Sequence, residues 1–176
     1  MIFDDTISGE FILKVLNSFD GLTEWVSEFL KNYNIEVQAD KNYTLHFCAQ
    51  LINQLREKSG PLTIYKIGVE TAKLYKFPLN LELNKNPHNI FSLFNQAYEL
   101  NFKTHHDVQF YFYEYVNDKA LIFKSQTPFS CEFEKGFFYG IFDFYFNITD
   151  YQIEHSPLWA CRNLGCNYCN YIISWK

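Results

Sequence analysis

The chain of 176 residues has no apolar run long enough to span a bilayer. Its longest nearly apolar stretch, Phe137 to Phe146, is interrupted by Asp143 and falls short of the ~20 residues a spanning helix needs. The first twenty residues lack the basic start and apolar core of a signal peptide, so a cytoplasmic location is expected. Positive charge is scarce and scattered: with a net charge of -5 there is no basic stripe to follow a phosphate backbone, which argues against nucleic acid as a partner. There is no phosphate-binding glycine loop, no nucleophile elbow, no HExxH zinc-protease sequence, no internal repeat and no linker-like segment. Those absences weaken the case for an enzyme and leave one domain over residues 1–176 as the expectation.

Aromatic residues are plentiful, with 19 Phe and 13 Tyr, more than a core of this size requires. Part of that surface is expected to line a pocket or an interface. Leu22, Trp25, Val26, Phe29 and Leu30, then Leu45, Cys48, Ala49, Ile52 and Leu55, recur at three and four and predict two amphipathic helices between Asp20 and Lys58. Gly60-Pro61 breaks the second, Ile64 to Tyr75 forms a third, and Asn89 to Leu100 a fourth, which places a helical part over about 1–105. From Val108 to Val116 the period becomes two, with Val108, Phe110, Phe112, Glu114 and Val116 on one face and tyrosines on the other. Asn117-Asp118 turns this strand into Ala120 to Lys124. Glu132 to Asn147 reads as an aromatic helix on which Gly136 and Gly140 permit close approach of a neighbour, and its surplus apolar groups suit a pocket wall or a dimer surface. Tyr151 to His155 and Asn167 to Trp175 complete the strands, so residues 106–176 carry the sheet and the cysteines. The fold class is α+β: amino-terminal helices, then a mostly antiparallel four-stranded sheet with one packed aromatic helix.

Five cysteines in a reducing compartment read first as ligands, redox groups or buried small hydrophobes. Cys166 and Cys169 have the Cys-x2-Cys spacing of a zinc pair, and Cys161 precedes them in the same loop. Cys131 stands just before the aromatic helix, where a folded hairpin brings it close. The expected metal set is therefore Cys131, Cys161, Cys166 and Cys169 around zinc, with His155 as alternative fourth ligand. An iron-sulfur cluster, a redox pair, and buried fillers with an incidental pair remain open as other readings of the same residues. Cys48 lies on the apolar face of its helix and reads as core. His105-His106 is a potential metal or haem ligand pair, but reads first as solvated loop, and Glu114 as a sheet-margin carboxylate or a half-buried acid.

The run Ser130-Cys131-Glu132-Phe133-Glu134-Lys135-Gly136-Phe137-Phe138-Tyr139-Gly140, followed by Cys161-Arg162-Asn163-Leu164-Gly165-Cys166 and Cys169, resembles the 4-vinyl reductase domain family. The resemblance extends from about Pro87 to Trp175 in element order. It implies a fold related to the vesicle-tethering TRAPP subunits and to the sensor domains of phenol- and toluene-responsive regulators. It also implies binding of a small apolar or aromatic molecule, a homodimer, and a structural zinc held by a cysteine before the helix, a glutamate, and two cysteines spaced as Cys161 and Cys169 are. Leu158 occupies the glutamate position, so Cys166 or His155 would substitute. A sensory module is the leading expectation, beside a protein-interaction module and an enzyme acting on a tetrapyrrole or aromatic compound.

Overall fold

Gly60 and Pro61 separate two helices as their residue types require. Gly60 has φ 82°, in the left-handed region that favours glycine, and Pro61 begins the next helix, where its missing N–H costs nothing. In this computed structural model, which describes residues 5–17, 23–78, 87–103, 110–146, 150–155 and 161–176, those helices are α3 (Leu45–Ser59) and α4 (Pro61–Leu74). Thr44 caps α3 by accepting the Phe47 N–H at 3.1 Å. Before them come β1 (Thr6–Ser8), α1 (Gly9–Asn17), α2 (Thr23–Asn32) and β2 (Asn42–Thr44). Helix α1 lies outside the expected set, although Ile12, Val15 and Leu16 carry the helical spacing and are buried. Strands β1 and β2 are only three residues each and pair antiparallel, Thr6 opposite Thr44, too short for alternation to reveal them.

Helices α5 (Pro87–Ser92) and α6 (Phe94–Asn101) follow. The carboxy-terminal part is an antiparallel sheet in the order β3-β4-β6-β5, built from β3 (Tyr111–Asn117), β4 (Ala120–Ser125), β5 (Tyr151–His155) and β6 (Cys169–Trp175). The hairpin forms where the sequence places it, with the Asn117 side chain accepting the Lys119 N–H at 2.8 Å. The expected apolar face of β3 is not covered: Phe112 and Val116 are 40% and 59% exposed, and Glu114 is exposed as well, not a half-buried acid. Alternation defines two faces of a strand, but only neighbouring elements decide whether either is buried: α7 reaches this edge strand at Tyr111, whose ring lies 6.2 Å from that of Phe138, and the residues beyond it are exposed.

The aromatic helix is α7 (Cys131–Ile141), continued by a π-helical turn over Phe142–Phe146. Ser130 caps it, accepting the Phe133 N–H at 3.4 Å. One side of α7 lies on the sheet, with the Phe138 ring edge-on to Phe123 and to Tyr171, both at 5.1 Å between centroids. The opposite side crosses α4 at backbone contact: a Cβ on Gly136 would overlap the Tyr65 carbonyl, one on Gly68 the Phe133 carbonyl, and one on Gly140 the Val69 carbonyl. Its apolar surplus is thus explained by two packed neighbours. No described helix is long and apolar enough to cross a membrane.

Because nothing at the crossing can yield except backbone, Gly136→Ala must push α4 and α7 apart. The expected outcome is a loss of about 1–3 kcal/mol, typical of overpacking, read from the urea midpoint with the slope unchanged. Wild-type stability in that variant would contradict the backbone contact.

Candidate functional site: an apolar cavity beside a thiol and imidazole cluster

Between α1, α3, α4 and α7 lies a cavity of about 50 Å3. Its walls are Ile12, Leu16, Leu51, Ile52, Phe133 and Phe137 among others, and its few polar neighbours are Cys48, Thr71, Tyr75, Tyr111 and Glu134. Thr71 spends its hydroxyl on the Ile67 carbonyl at 2.7 Å. Cys48 is buried, as its place on the apolar face of α3 implies, and burial pushes its thiol up to about 12.

Glu134 closes the cavity toward the sheet and is 2% exposed. Ser125 and Thr127 donate their hydroxyls to Oε1, while Arg162 and the Tyr171 hydroxyl, the latter at 2.9 Å, donate to Oε2. Arg162 also donates to the Ser125 carbonyl at 2.9 Å. A buried carboxylate is tolerable only when paired and hydrogen-bonded on both oxygens, and here both conditions hold. Neither Glu134 nor Arg162 was among the expected site residues. The signal available was that Glu134, Phe138 and Ile141 share one helical stripe, which sets a single carboxylate among core residues.

Behind that network, Cys131, His155, Cys161 and Cys169 offer ligand atoms that all lie within 4.8 Å of one another. The Cys131 Sγ is 3.5 Å from that of Cys161 and 3.1 Å from that of Cys169. His155 Nε2 is buried with no hydrogen-bond partner among the described residues. Hydrogen bonding from Cys131, with Arg162 close by, lowers the Cys169 thiol to about 6, and the same hydrogen bond holds Cys131 above the ordinary thiol range. Cys166 does not join: it is exposed, because Gly165 at φ 85° turns the chain outward immediately before it. Of the expected set the fold therefore gathers Cys131, Cys161 and Cys169 together with His155, the expected alternative fourth ligand. His105, His106 and Leu158 lie outside the described residues.

No family model matches the chain, and no curated protein does. Solved structures do. An H-NOX protein from S. oneidensis in the Fe(II)NO ligation state superposes with a TM-score of 0.63 at 15% identity, covering 97% of this chain and 99% of that one. A Tt H-NOX variant gives 0.65 at 14%, covering 97% and 95%. The chain has an H-NOX-like fold. A third structure, described under modulation of haem redox potential by porphyrin distortion, gives 0.63 at 14%, covering 95% and 97%. The resemblance to 4-vinyl reductase domains and to their TRAPP and regulator relatives is corrected by these matches. It rested on glycine and cysteine spacing over some fifty residues, whereas the match to the H-NOX-like fold extends over nearly the whole chain. Zinc as the cofactor is corrected with it, since the S. oneidensis structure is described by Fe(II) and the third by haem.

Among the described residues the cavity lining does not supply what a haem needs, and His105 and His106 lie outside those residues. Haem needs an axial ligand at iron and donors for two propionates. The described lining holds no imidazole, no lysine and no arginine. Burial pushes the Cys48 thiol up to about 12 and raises the Tyr75 and Tyr111 phenols well above their ordinary range, which disfavours their anionic forms. The one carboxylate, Glu134, has its acceptor sites filled and would repel a propionate. The space is also a fraction of the ~150 Å3 cavity that admits benzene, and no step below passes through a haem.

Two outcomes follow from this geometry. A thiol reagent added to the native protein should modify Cys166 quickly and the four buried cysteines only on denaturation, with Cys166→Ser removing the fast phase. Glu134→Ala should cost about 3–5 kcal/mol, because it strands Arg162 in the interior, and a thermal melt within a degree of wild type would contradict the network.

Proposed function

We propose that residues 1–176 form one sensory, small-molecule-binding domain whose ligand enters the apolar cavity directly. The observation that carries this reading is the cavity itself, lined by fixed aromatic and aliphatic side chains and joined through Glu134, Arg162 and Tyr171 to the cysteine cluster. The similar structures support it: the S. oneidensis protein is described with NO, a small molecule, bound. A fold can keep its cavity while the group inside it changes, because function resides in the residues of the site. Occupancy at the cavity would act on Glu134, whose partners reach β4, β6 and the Cys161 loop, and so has a route to the surface. A catalytic role has no support in the cavity, whose lining offers neither a nucleophile and base pair nor an open metal position.

Xenon is the first probe, since dry apolar cavities take it up. Under xenon pressure, methyl resonances of Ile12, Leu51 and Ile52 should shift together and saturably, and Leu51→Phe should abolish the response. Purified protein should show no Soret band, and added haemin should form no stoichiometric complex. A one-to-one haem complex with a single coordinated spectrum would overturn the direct-binding reading.

A second proposal concerns the cluster. Cys131, His155, Cys161 and Cys169 converge as four soft donors do around a thiophilic ion, with the buried and unpartnered His155 Nε2 favouring a ligand role. Elemental analysis of the purified protein should find metal near one equivalent per chain, reduced by Cys161→Ser and unaffected by Cys166→Ser. Metal-free protein of unchanged stability would remove this proposal.

A further inference from the structure

Tyr75 and Tyr111 both line the cavity and are 3% and 5% exposed, yet among the described residues neither hydroxyl has a hydrogen-bond partner. The other deeply buried tyrosines differ: Tyr98 donates to Asp5 at 3.0 Å and Tyr171 to Glu134 at 2.9 Å. A buried phenol hydroxyl normally finds a partner, and one that does not marks a place where a water or a ligand belongs.

Both rings are held firmly. Tyr111 stacks on Phe123 with centroids 5.4 Å apart, and the Asn95 amide brackets its backbone, accepting the N–H at 3.1 Å and donating to the carbonyl at 2.9 Å. Tyr75 sits edge-on to Phe137 at 4.8 Å, and Asn101 brackets the next residue, Lys76, in the same way at 2.7 and 2.6 Å. Helix α6 thus holds the backbone at or beside both phenols through paired asparagine clamps. The phenols sense one another: after burial, the main influence raising Tyr75 is Tyr111, and that raising Tyr111 is the Glu134 carboxylate. Glu134 cannot absorb these donors readily, because Ser125, Thr127, Arg162 and Tyr171 already use the roughly four acceptor positions of a carboxylate.

We infer that Tyr75 and Tyr111 form a donor subsite inside the cavity that recognises a compact, uncharged molecule with an apolar body and one acceptor oxygen, the chemistry of a small ketone or aldehyde. An anion is disfavoured by Glu134, with no cation in the lining among the described residues, and bulk is limited by the cavity volume of about 50 Å3. This inference deepens the direct-binding reading and rests on it.

The test uses acetone and isobutene, which match in shape and differ in the oxygen. Both are titrated against the full chain and against Tyr75→Phe/Tyr111→Phe, a variant that keeps both rings, with binding followed by the cavity methyl resonances. Acetone should bind the variant about tenfold more weakly, the size expected for losing hydrogen bonds of this kind, while isobutene changes by less than twofold. Equal effects on both ligands would overturn the subsite and leave the tyrosines as wall. Isobutene binding to wild type without acetone binding would also overturn it, with the hydroxyls serving an ordered water only, and would leave the cavity reading intact. Binding of neither probe would remove both.

Discussion

A carboxylate that is 2% exposed needs every one of its contacts, and Glu134 draws them from four separate parts of the chain. Ser125 ends β4, Thr127 lies in the connection to α7, Arg162 opens the cysteine loop and Tyr171 belongs to β6. Removing any donor leaves part of a buried charge unsatisfied, so the helix, the sheet and the loop are fixed together. This one group links the cavity to the cysteine cluster: Glu134 lines the first, while Arg162 donates its backbone N–H toward Cys169 Sγ at 3.4 Å and the Tyr171 hydroxyl, whose single proton goes to Glu134, lies 3.3 Å from the Cys131 carbonyl. A change on one side is therefore felt on the other through hydrogen bonds already in place.

The second constraint is the crossing of α4 and α7. Glycines on both helices bring the backbones together, which presents Glu134 and Phe137 to the cavity from one helix and Thr71 from the other. The likeness to H-NOX structures concerns this scaffold. The described lining of the cavity is aromatic and aliphatic, with two phenols, a thiol, a threonine and one carboxylate.

Much of the scaffold was legible from residue types. Helical spacing located α2, α3, α4 and α7, Gly60-Pro61 marked a boundary, and alternation marked the strands. The contribution of Gly136 and Gly140 to a close crossing was also readable, since only glycine permits it. The cysteines were legible as a group but not in membership: Cys166 has the better spacing to Cys169, yet Gly165 sends it outward, and His155 arrives from a strand that pairs with β6. The 4-vinyl reductase resemblance failed for a related reason, since a short spacing pattern constrains only one loop and one helix end.

By itself the sequence determined an α+β chain with an aromatic helix, a cysteine-rich end and no basic or membrane-spanning surface, because periodicity, turn residues and net charge are properties of neighbouring residues. Tertiary structure alone decided that Glu134 meets Arg162 and that Tyr75 and Tyr111 line one cavity. It also decided that His155, the alternative the sequence offered, lies beside the three buried cysteines while Cys166 is exposed, and that the outer strand is exposed beyond Tyr111. Each of these depends on groups tens of residues apart meeting in space, and on whether their hydrogen bonds are completed there.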